Sequence, residues 1–517
     1  MNDPLTDLAR AQPDKLAVID DRPDGTIIRW TYAQLEDNAN RLGNVFLSLG
    51  LEPKNRVVWF GRNSPWIVAM MAAGRKTGAT SVPMNYRLAP EEVAYIVDNS
   101  DADFIFVDAE FAPVLEQIRA DIPKVRAIVV FDGPPGKDML SAAELIADAD
   151  TATIMPRLLP GQANSMIYTS GTTGRPKGAY RDNMGNAELA AKLMELIGYR
   201  PDDVYITTGP LYHSGPASFM GMGLGMGQTV ILQRKFDAED WLRLVDKYKV
   251  SSSFSAPTPV RRICQVDEEI FAKYDVSSMR VLIANAAPWS YALKKMYLDR
   301  FPKLSLFEVY GSTELGVNTI LTPEYQLSKP GSCGKPAPGV EIFLLDDDGN
   351  VITTPHTPGE LFIRSKGVFT EYYKARDQFM KDRRGDKQTV GDVAYFDEEG
   401  FYYICDRKKD MIISGGMNIY PAEIEDALEH HPDVMDVAVF GIPSEEWGES
   451  VHAIVVPRPG SHLTPQDVIA YARDHMAGYK VPRSVDFIDD IPRTGSGKIL
   501  KRELREPYWK GQTSKVG

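Results

Sequence analysis

Apolar positions recur along the first third of the chain in two alternating patterns. Short runs rich in β-branched and aromatic residues read as buried strands: LAVID at Leu16 to Asp20, RVVWFG at Arg56 to Gly61, TSVPMN at Thr80 to Asn85 and ADFIFVD at Ala102 to Asp108. Between them the spacing lengthens to a helical repeat. After Thr31, the residues Leu35, Leu42, Val45, Phe46 and Leu49 share one face and Gly50 stops the run. Ser64 and Pro65 supply a cap and first-turn proline for a helix over WIVAMMAAGRK, and another helix starts near Pro90. Strand and helix in alternation predict parallel sheets covered on both faces, hence an α/β protein.

The alternation continues to about residue 330. From Gly331 to Tyr403, Gly and Pro punctuate short strand-like runs such as EIFLLD and GELFIRS, which predicts a small β-rich subdomain over about 331–403. After the charged run DRKKD, Asp406 to Asp410, the pattern becomes a compact α+β unit: a helix from Pro421, strands VMDVAVFGI and SVHAIVVPR, a helix from Thr464 and a glycine-rich tail. The domains expected are 1–406, large and built of helix-covered sheets, and 407–517, small and α+β. No solenoid period or low-complexity tract is present.

Composition narrows the partners. A chain of 517 residues, 43% hydrophobic, is too long for one core. Its net charge of -13 argues against a nucleic-acid duplex as partner, since such binding needs a basic face. Three scattered cysteines, Cys264, Cys333 and Cys405, form neither a metal-ligand spacing nor a disulfide framework. The amino terminus lacks the pattern of a signal peptide and no apolar run is long enough to span a bilayer, so a soluble, cytoplasmic protein is expected.

The run YTSGTTGRPKGA, Tyr168 to Ala179, brings in chemistry. Gly171, Gly174 and Gly178 permit close backbone approach, Thr169, Ser170, Thr172 and Thr173 offer hydroxyls, and Lys177 supplies an ammonium. These are the parts of a loop that wraps a polyphosphate; a flexible surface turn is the other reading. It is not a Walker loop, because Gly178 follows Lys177 where Ser or Thr would stand.

Other segments sharpen the idea. YGSTE, Tyr310 to Glu314, places a ring to stack on a base, the small Gly311 and Ser312, Thr313 for phosphate and Glu314 for Mg2+ in one turn. Asp392 in VGD can accept from a ribose diol with Arg407 beside it, or each is a surface charge. NAAP, Asn285 to Pro288, follows the strand-like RVLIA, where ligands of open α/β sheets bind. Lys498 lies in PRTGSGKILKREL, a glycine-rich turn that presents one ammonium.

In this order and spacing the segments, with PLYHSGP and ISGGMNIYPAEIE, resemble the adenylate-forming superfamily of acyl-CoA synthetases, peptide-synthetase adenylation domains and beetle luciferases. The resemblance runs from about Thr31 to Arg502. It implies a large amino-terminal domain and a small lid that swings on a hinge at Lys409. It implies ATP and Mg2+ in a first step, in which a carboxylate attacks the α-phosphate, and coenzyme A in a second, in which a thiol attacks the acyl-adenylate. ATP contacts carried over are Thr169, Ser170, Gly171, Thr172, Thr173, Gly174, Lys177, Ala287, Pro288, Tyr310, Gly311, Ser312, Asp392 and Arg407. Catalytic roles fall on Lys498, Thr313, Glu314 and His213, the metal on Glu314, and a pantetheine tunnel on Ser414, Gly415 and Gly416. This chain departs from the pattern where Asn285 and Ala286 replace two usual glycines, at Val390 and at Asn183.

The branch follows from His213, which stands where α-amino-acid-activating domains carry an Asp for the substrate ammonium. An imidazole cannot replace that charge. His213 then orients the substrate or is a packed histidine. The run GMGLGMGQ, Gly221 to Gln228, either forms an adaptable apolar pocket or serves tight helix packing. On the pocket reading the acid is hydrophobic: fatty, aryl or a steroid-type side-chain acid. The expected activity is an AMP-forming acyl-CoA ligase; loading of a separate acyl carrier protein, and a non-enzymatic nucleotide-binding regulator, are the other readings. The partners are then a small carboxylic acid, ATP and coenzyme A, with a homodimer left open.

Overall fold

A computed structural model describes residues 3–157, 164–169, 175–182, 187–287, 289–493 and 499–510. Its strands form three sheets of eight, fifteen and five strands. In the first, Thr80–Met84, Arg56–Phe60, Phe104–Asp108 and Ala127–Phe131 run parallel, and Phe104–Asp108 is buried at all five positions. Such unbroken apolar runs need cover on both faces. Part of it comes from Tyr32–Ser48, opened by a Thr31–Gln34 capping box and burying Leu35, Ala39, Leu42 and Phe46. Ser64 caps Pro65–Thr77, and Gly78, at φ 76°, ends it.

The second sheet holds Leu16–Asp21, although this strand comes first in sequence and reads like its successors. It pairs in parallel with Thr229–Leu232, Val18 opposite Val230. The parallel part continues through Val204–Thr207, Ser252–Ser255, Val281–Ala284 and Leu306–Ser312. Beyond Leu306–Ser312 the sheet turns antiparallel through Gly316–Leu321, Ser332–Pro336, Tyr402–Arg407 and Asp392–Phe396. The β-rich stretch is therefore an extension of this sheet. One strand of it, Glu371–Tyr372, crosses over and pairs with Lys177–Arg181 at the edge of the first sheet.

The third sheet comprises Ile412–Ser414, Met417–Ile419, Val434–Ser444, Gly448–Pro457 and Ser484–Phe487. With the helices Pro421–Glu429 and Pro465–His475 it encloses its own core of Ile412, Ile424, Leu428, Val437, Val455 and Val468. Tyr402–Arg407 belongs to the second sheet and Ile412–Ser414 to the third, so residues 408–411 join the two bodies. Among the described residues no helix is long and apolar enough to cross a membrane, and the three cysteines are free thiols.

Candidate active site

A cavity of about 780 Å³ opens where the first two sheets and the connecting residues meet. Thr169, the last residue of Asn164–Thr169, stands opposite Lys177, the first of Lys177–Arg181, and both line it. Ser170, Gly171, Thr172, Thr173 and Gly174 lie outside the described residues. Lys177 extends over Tyr372, its Nζ 5.6 Å from the ring centroid.

The opposite wall is the turn between Leu306–Ser312 and Gly316–Leu321. Ser312 Oγ accepts from the Leu315 amide at 3.1 Å and shapes the turn, which presents Gly311, Ser312, Thr313 and Glu314 to the cavity. Glu314 is buried, and its Oε1 accepts from Thr169 Oγ1 at 2.9 Å and Tyr372 Oη at 3.1 Å. Burial, reinforced by the Glu314 charge, pushes the Tyr372 hydroxyl far above the usual phenol range, so it stays a donor. Thr313 Oγ1 shares a 2.8 Å hydrogen bond with Ser214 Oγ. Its carbonyl accepts from Arg181 Nη2 at 3.0 Å, while Arg181 Nη1 donates to Gly367 O at 2.5 Å. Burial pulls the Arg181 guanidinium below its ordinary value and Glu314 opposes the shift.

The donor set suits Mg2+ brought in with a nucleotide. Two hydrogen bonds occupy Glu314 Oε1 and neither uses Oε2. Among the described residues no group of three His, Cys, Asp or Glu forms a metal cage. One carboxylate supplemented by phosphate oxygens is the usual Mg2+ environment.

Asp392 and Tyr310 stand behind the wall. The Tyr310 hydroxyl donates to Asp392 Oδ2 at 2.5 Å, and Arg407 Nε lies 3.4 Å from Asp392 Oδ1. Arg407 lines the cavity, whereas Asp392 and Tyr310 are not among its lining residues. From NAAP, Asn285 and Ala286 reach the cavity and Ala287 does not; Pro288 lies outside the described residues. Ala286 takes φ 75°, a left-handed conformation natural to glycine and strained for alanine. The Asn285 side chain holds it, accepting from the Ala286 amide and donating to Val309 O, both at 2.5 Å. A side chain thus fills a place where the resemblance leads one to expect hydrogen.

His213 precedes Ser214–Gly225 as its cap residue and lines the cavity, its ring 4.4 Å from that of Tyr212. The same cavity also has an apolar lining in Leu189, Leu193, Phe219, Met222 and Val340. The two readings of the glycine–methionine run divide between them. Met222 reaches the cavity, while Gly223 packs so tightly that a Cβ would lie 2.3 Å from Gln228 Oε1.

Lys409 and its neighbour Lys408 border the cavity. Ser414, Gly415 and Gly416 do not; their hairpin lies elsewhere, with a Cβ on Gly415 meeting Trp447 at 2.7 Å. Lys498 lies outside the described residues. Sequence reasoning missed Tyr372 and Arg181, neither of which stands in a run with a chemical signature, and Ser214, which does stand in PLYHSGP, directly after His213.

A large sheet-built body joined to a small α+β body, with the strand pair Asn164–Thr169 and Lys177–Arg181 facing a Thr–Glu turn, is the architecture of the adenylate-forming class. The chain belongs to the family of AMP-binding enzymes: residues 5–373 match the AMP-binding enzyme model and 423–498 the AMP-binding enzyme C-terminal domain. It is 34% identical to the long-chain-fatty-acid–CoA ligase FadD13 of Mycobacterium tuberculosis, over 93% of this chain and 94% of that protein. It is 32% identical to the fatty acid–[acyl-carrier-protein] ligase ScoC of Streptomyces coeruleorubidus, over 94% and 93%. The fold superposes on the anthranilate CoA ligase AuaEII in complex with anthranoyl-AMP with a TM-score of 0.88 and 25% identity, covering 98% of this chain and 97% of that one.

Proposed function

We propose that the protein is an ATP-dependent, AMP-forming acid–CoA ligase acting on a hydrophobic carboxylic acid. The observation that carries this reading is that one cavity is lined by Thr169, Lys177, Thr313 and Glu314 together with His213 and the apolar Leu189, Leu193, Phe219, Met222 and Val340. The polar lining suits a triphosphate and the apolar lining suits an acyl chain or ring.

In the first half-reaction a carboxylate oxygen attacks the α-phosphorus, the bond to the bridging oxygen breaks and pyrophosphate leaves. The obstacle is the approach of two anions. Glu314 would hold Mg2+, which supplies positive charge to the phosphate oxygens when bound with the nucleotide. Thr169, Lys177 and the loop 170–174 grip the departing β- and γ-phosphates, with Ser312 and Thr313 beside them. Arg407 and Asp392 take the ribose, and Gly311, Tyr310, Ala287 and Pro288 flank the base. Lys498 brings its ammonium between carboxylate and α-phosphate, where a fixed charge in a dry site stabilises the transition state. His213 orients the carboxylate. In the second half-reaction the thiol sulfur of coenzyme A forms a bond to the acyl carbon, the thiol proton is released and AMP departs. The lid turns about Lys409 between the two, withdrawing Lys498 and bringing Ser414, Gly415 and Gly416 to the pantetheine path.

A pyrophosphate-release screen over acids of graded length and aromaticity tests the reading. Release together with AMP and a coenzyme A thioester supports it, and no release with any acid overturns it. The likeness to ScoC favours one second reading, delivery of the acyl group to a phosphopantetheinyl carrier protein. Exchanging coenzyme A for such a carrier in the same assay separates the two.

A further inference from the structure

The helix Pro421–Glu429 opens the small domain's first turn without a side-chain cap of its own, because its cap residue is Tyr420. The cap comes from the other domain. Asp406, in the second sheet opposite Val393, accepts from the Ala422 amide through Oδ2 at 3.0 Å. A carboxylate at that position satisfies an orphan amide and meets the positive end of the helix dipole. Its other oxygen accepts from the Arg407 amide at 2.7 Å, which fixes the carboxylate to the large domain.

A second attraction to Asp406 comes from the chain that carries Lys498. Lys501 opens the helix Lys501–Trp509, is largely buried, and bonds Glu425 Oε1 of the capped helix at 2.8 Å. Burial works against the Lys501 charge, but Glu425, Asp406 and Asp410 together hold it protonated. Burial raises the Asp406 carboxyl, and Lys501 is the leading influence that pulls it back. At the far end of the same helix, Glu429 lies 3.5 Å from Arg261 of the large domain.

Asp406 lies before residues 408–411 and Ala422 and Lys501 lie after them. Any rotation about Lys409 separates the carboxylate from both. In the orientation described, the hairpin of Ser414 to Gly416 is away from the cavity, so this is not the arrangement in which that hairpin lines a thiol path. The geometry points to Asp406 as a positioning residue, a latch that caps the small domain's first helix and holds the lid in the orientation for adenylate formation. The inference rests on the two-step reading above.

Two variants test it. Asp406→Ala loses the bond to the Ala422 amide and the attraction for Lys501, while the Lys501–Glu425 pair stays within the small domain; adenylate formation, followed by pyrophosphate exchange, falls about tenfold, the scale of one charge-assisted hydrogen bond. Conversion of supplied acyl-adenylate to thioester is undiminished. Asp406→Asn retains an acceptor for Ala422 but loses its attraction for Lys501, and falls between. A dye pair spanning the two domains shows a shifted energy-transfer distribution in Asp406→Ala. Equal losses in both half-reactions, no loss in either, or an unchanged distribution overturns the latch. If the wild-type protein forms no adenylate from any acid, the two-step reading fails, and the dye pair still decides whether Asp406 holds the lid.

Discussion

Thr169 Oγ1 donates to Glu314 Oε1 at 2.9 Å, a bond that ties the end of the strand Asn164–Thr169 to the turn across the cavity. Thr169 ends a strand of the first sheet, and Glu314 lies in a turn between two strands of the second. A carboxylate that lines the cavity and is fixed through one oxygen presents the other in a defined direction. Tyr372 Oη makes the second bond to the same oxygen at 3.1 Å, from the strand that crosses between the sheets.

Tyr372→Phe removes one of these two orienting bonds and leaves the ring beneath Lys177. Loss of an outer-shell partner lowers metal affinity on the order of tenfold. The concentration of Mg2+ at half-maximal pyrophosphate release should rise by about that factor. Mn2+ binding in the presence of nucleotide, read by paramagnetic resonance, should weaken in parallel. An unchanged metal dependence would remove Tyr372 from this role.

Lys498→Ala is expected to lower adenylate formation by about two to three orders of magnitude, the scale of one preorganised charge at a developing anion. Thioester formation from supplied acyl-adenylate should persist. Separate assays of the two half-reactions check it, and parallel losses would contradict the assigned role.

Gly416 has φ 79° with nothing within 4 Å of an added Cβ, so in this orientation a side chain meets strain and no clash. Asn tolerates that conformation better than Leu. Gly416→Asn should leave adenylation near wild type and slow thioester formation several-fold by narrowing the pantetheine path, with Gly416→Leu slower still. Quenched-flow measurement of each half-reaction separates the steps. A second step at the wild-type rate would place Gly416 away from the path.

Local signals made much of this legible. Runs such as ADFIFVD carry their burial in their own composition, and the caps at Thr31 and Ser64 lie beside the helices they start. Partner choice is another matter. Nothing in LAVID distinguishes a neighbour 212 residues away from the strand that follows, and Val18 pairs with Val230. The same limit hides the site's supports: Tyr372 sits in EYYK and Arg181 in YRDN, and both matter through residues more than 50 positions away. The turn YGSTE was readable because its chemistry is compressed into five residues. Within it, the Tyr310 hydroxyl donates to Asp392, a partner 82 positions away that the turn itself does not announce.

Burial pushes the thiols of Cys264, Cys333 and Cys405 up to about 12. In the unfolded chain a thiol ionises near 8.5. Each therefore contributes stability that is present in full below the unfolded value and is lost as pH rises from there toward the folded value. Stability in chemical denaturation should fall between about pH 9 and 12. At pH 8 iodoacetamide should label neither of the buried Cys264 and Cys333 in the native protein and all three thiols after denaturation, read by mass spectrometry. Rapid native labelling of Cys264 or Cys333 would contradict the assigned burial.

Glu36 Oε1 gathers three donors in the core of the large domain: Lys76 Nζ at 2.7 Å, Thr6 Oγ1 at 2.8 Å and Asn40 Nδ2 at 3.0 Å. The cluster fastens Pro4–Ala11, Tyr32–Ser48 and Pro65–Thr77 together, and Lys76 is fully buried. Lys76→Met leaves the Glu36 charge in place without its counter-ion, which should cost about 3–5 kcal/mol in chemical denaturation. Adding Glu36→Leu replaces the pair by apolar groups and should recover most of that loss, because the desolvation of both charges disappears with them. A double variant no more stable than Lys76→Met would mean that Thr6 and Asn40, stranded without an acceptor, dominate the cost. The sign of the second substitution therefore decides whether charge or hydrogen bonding holds the three helices.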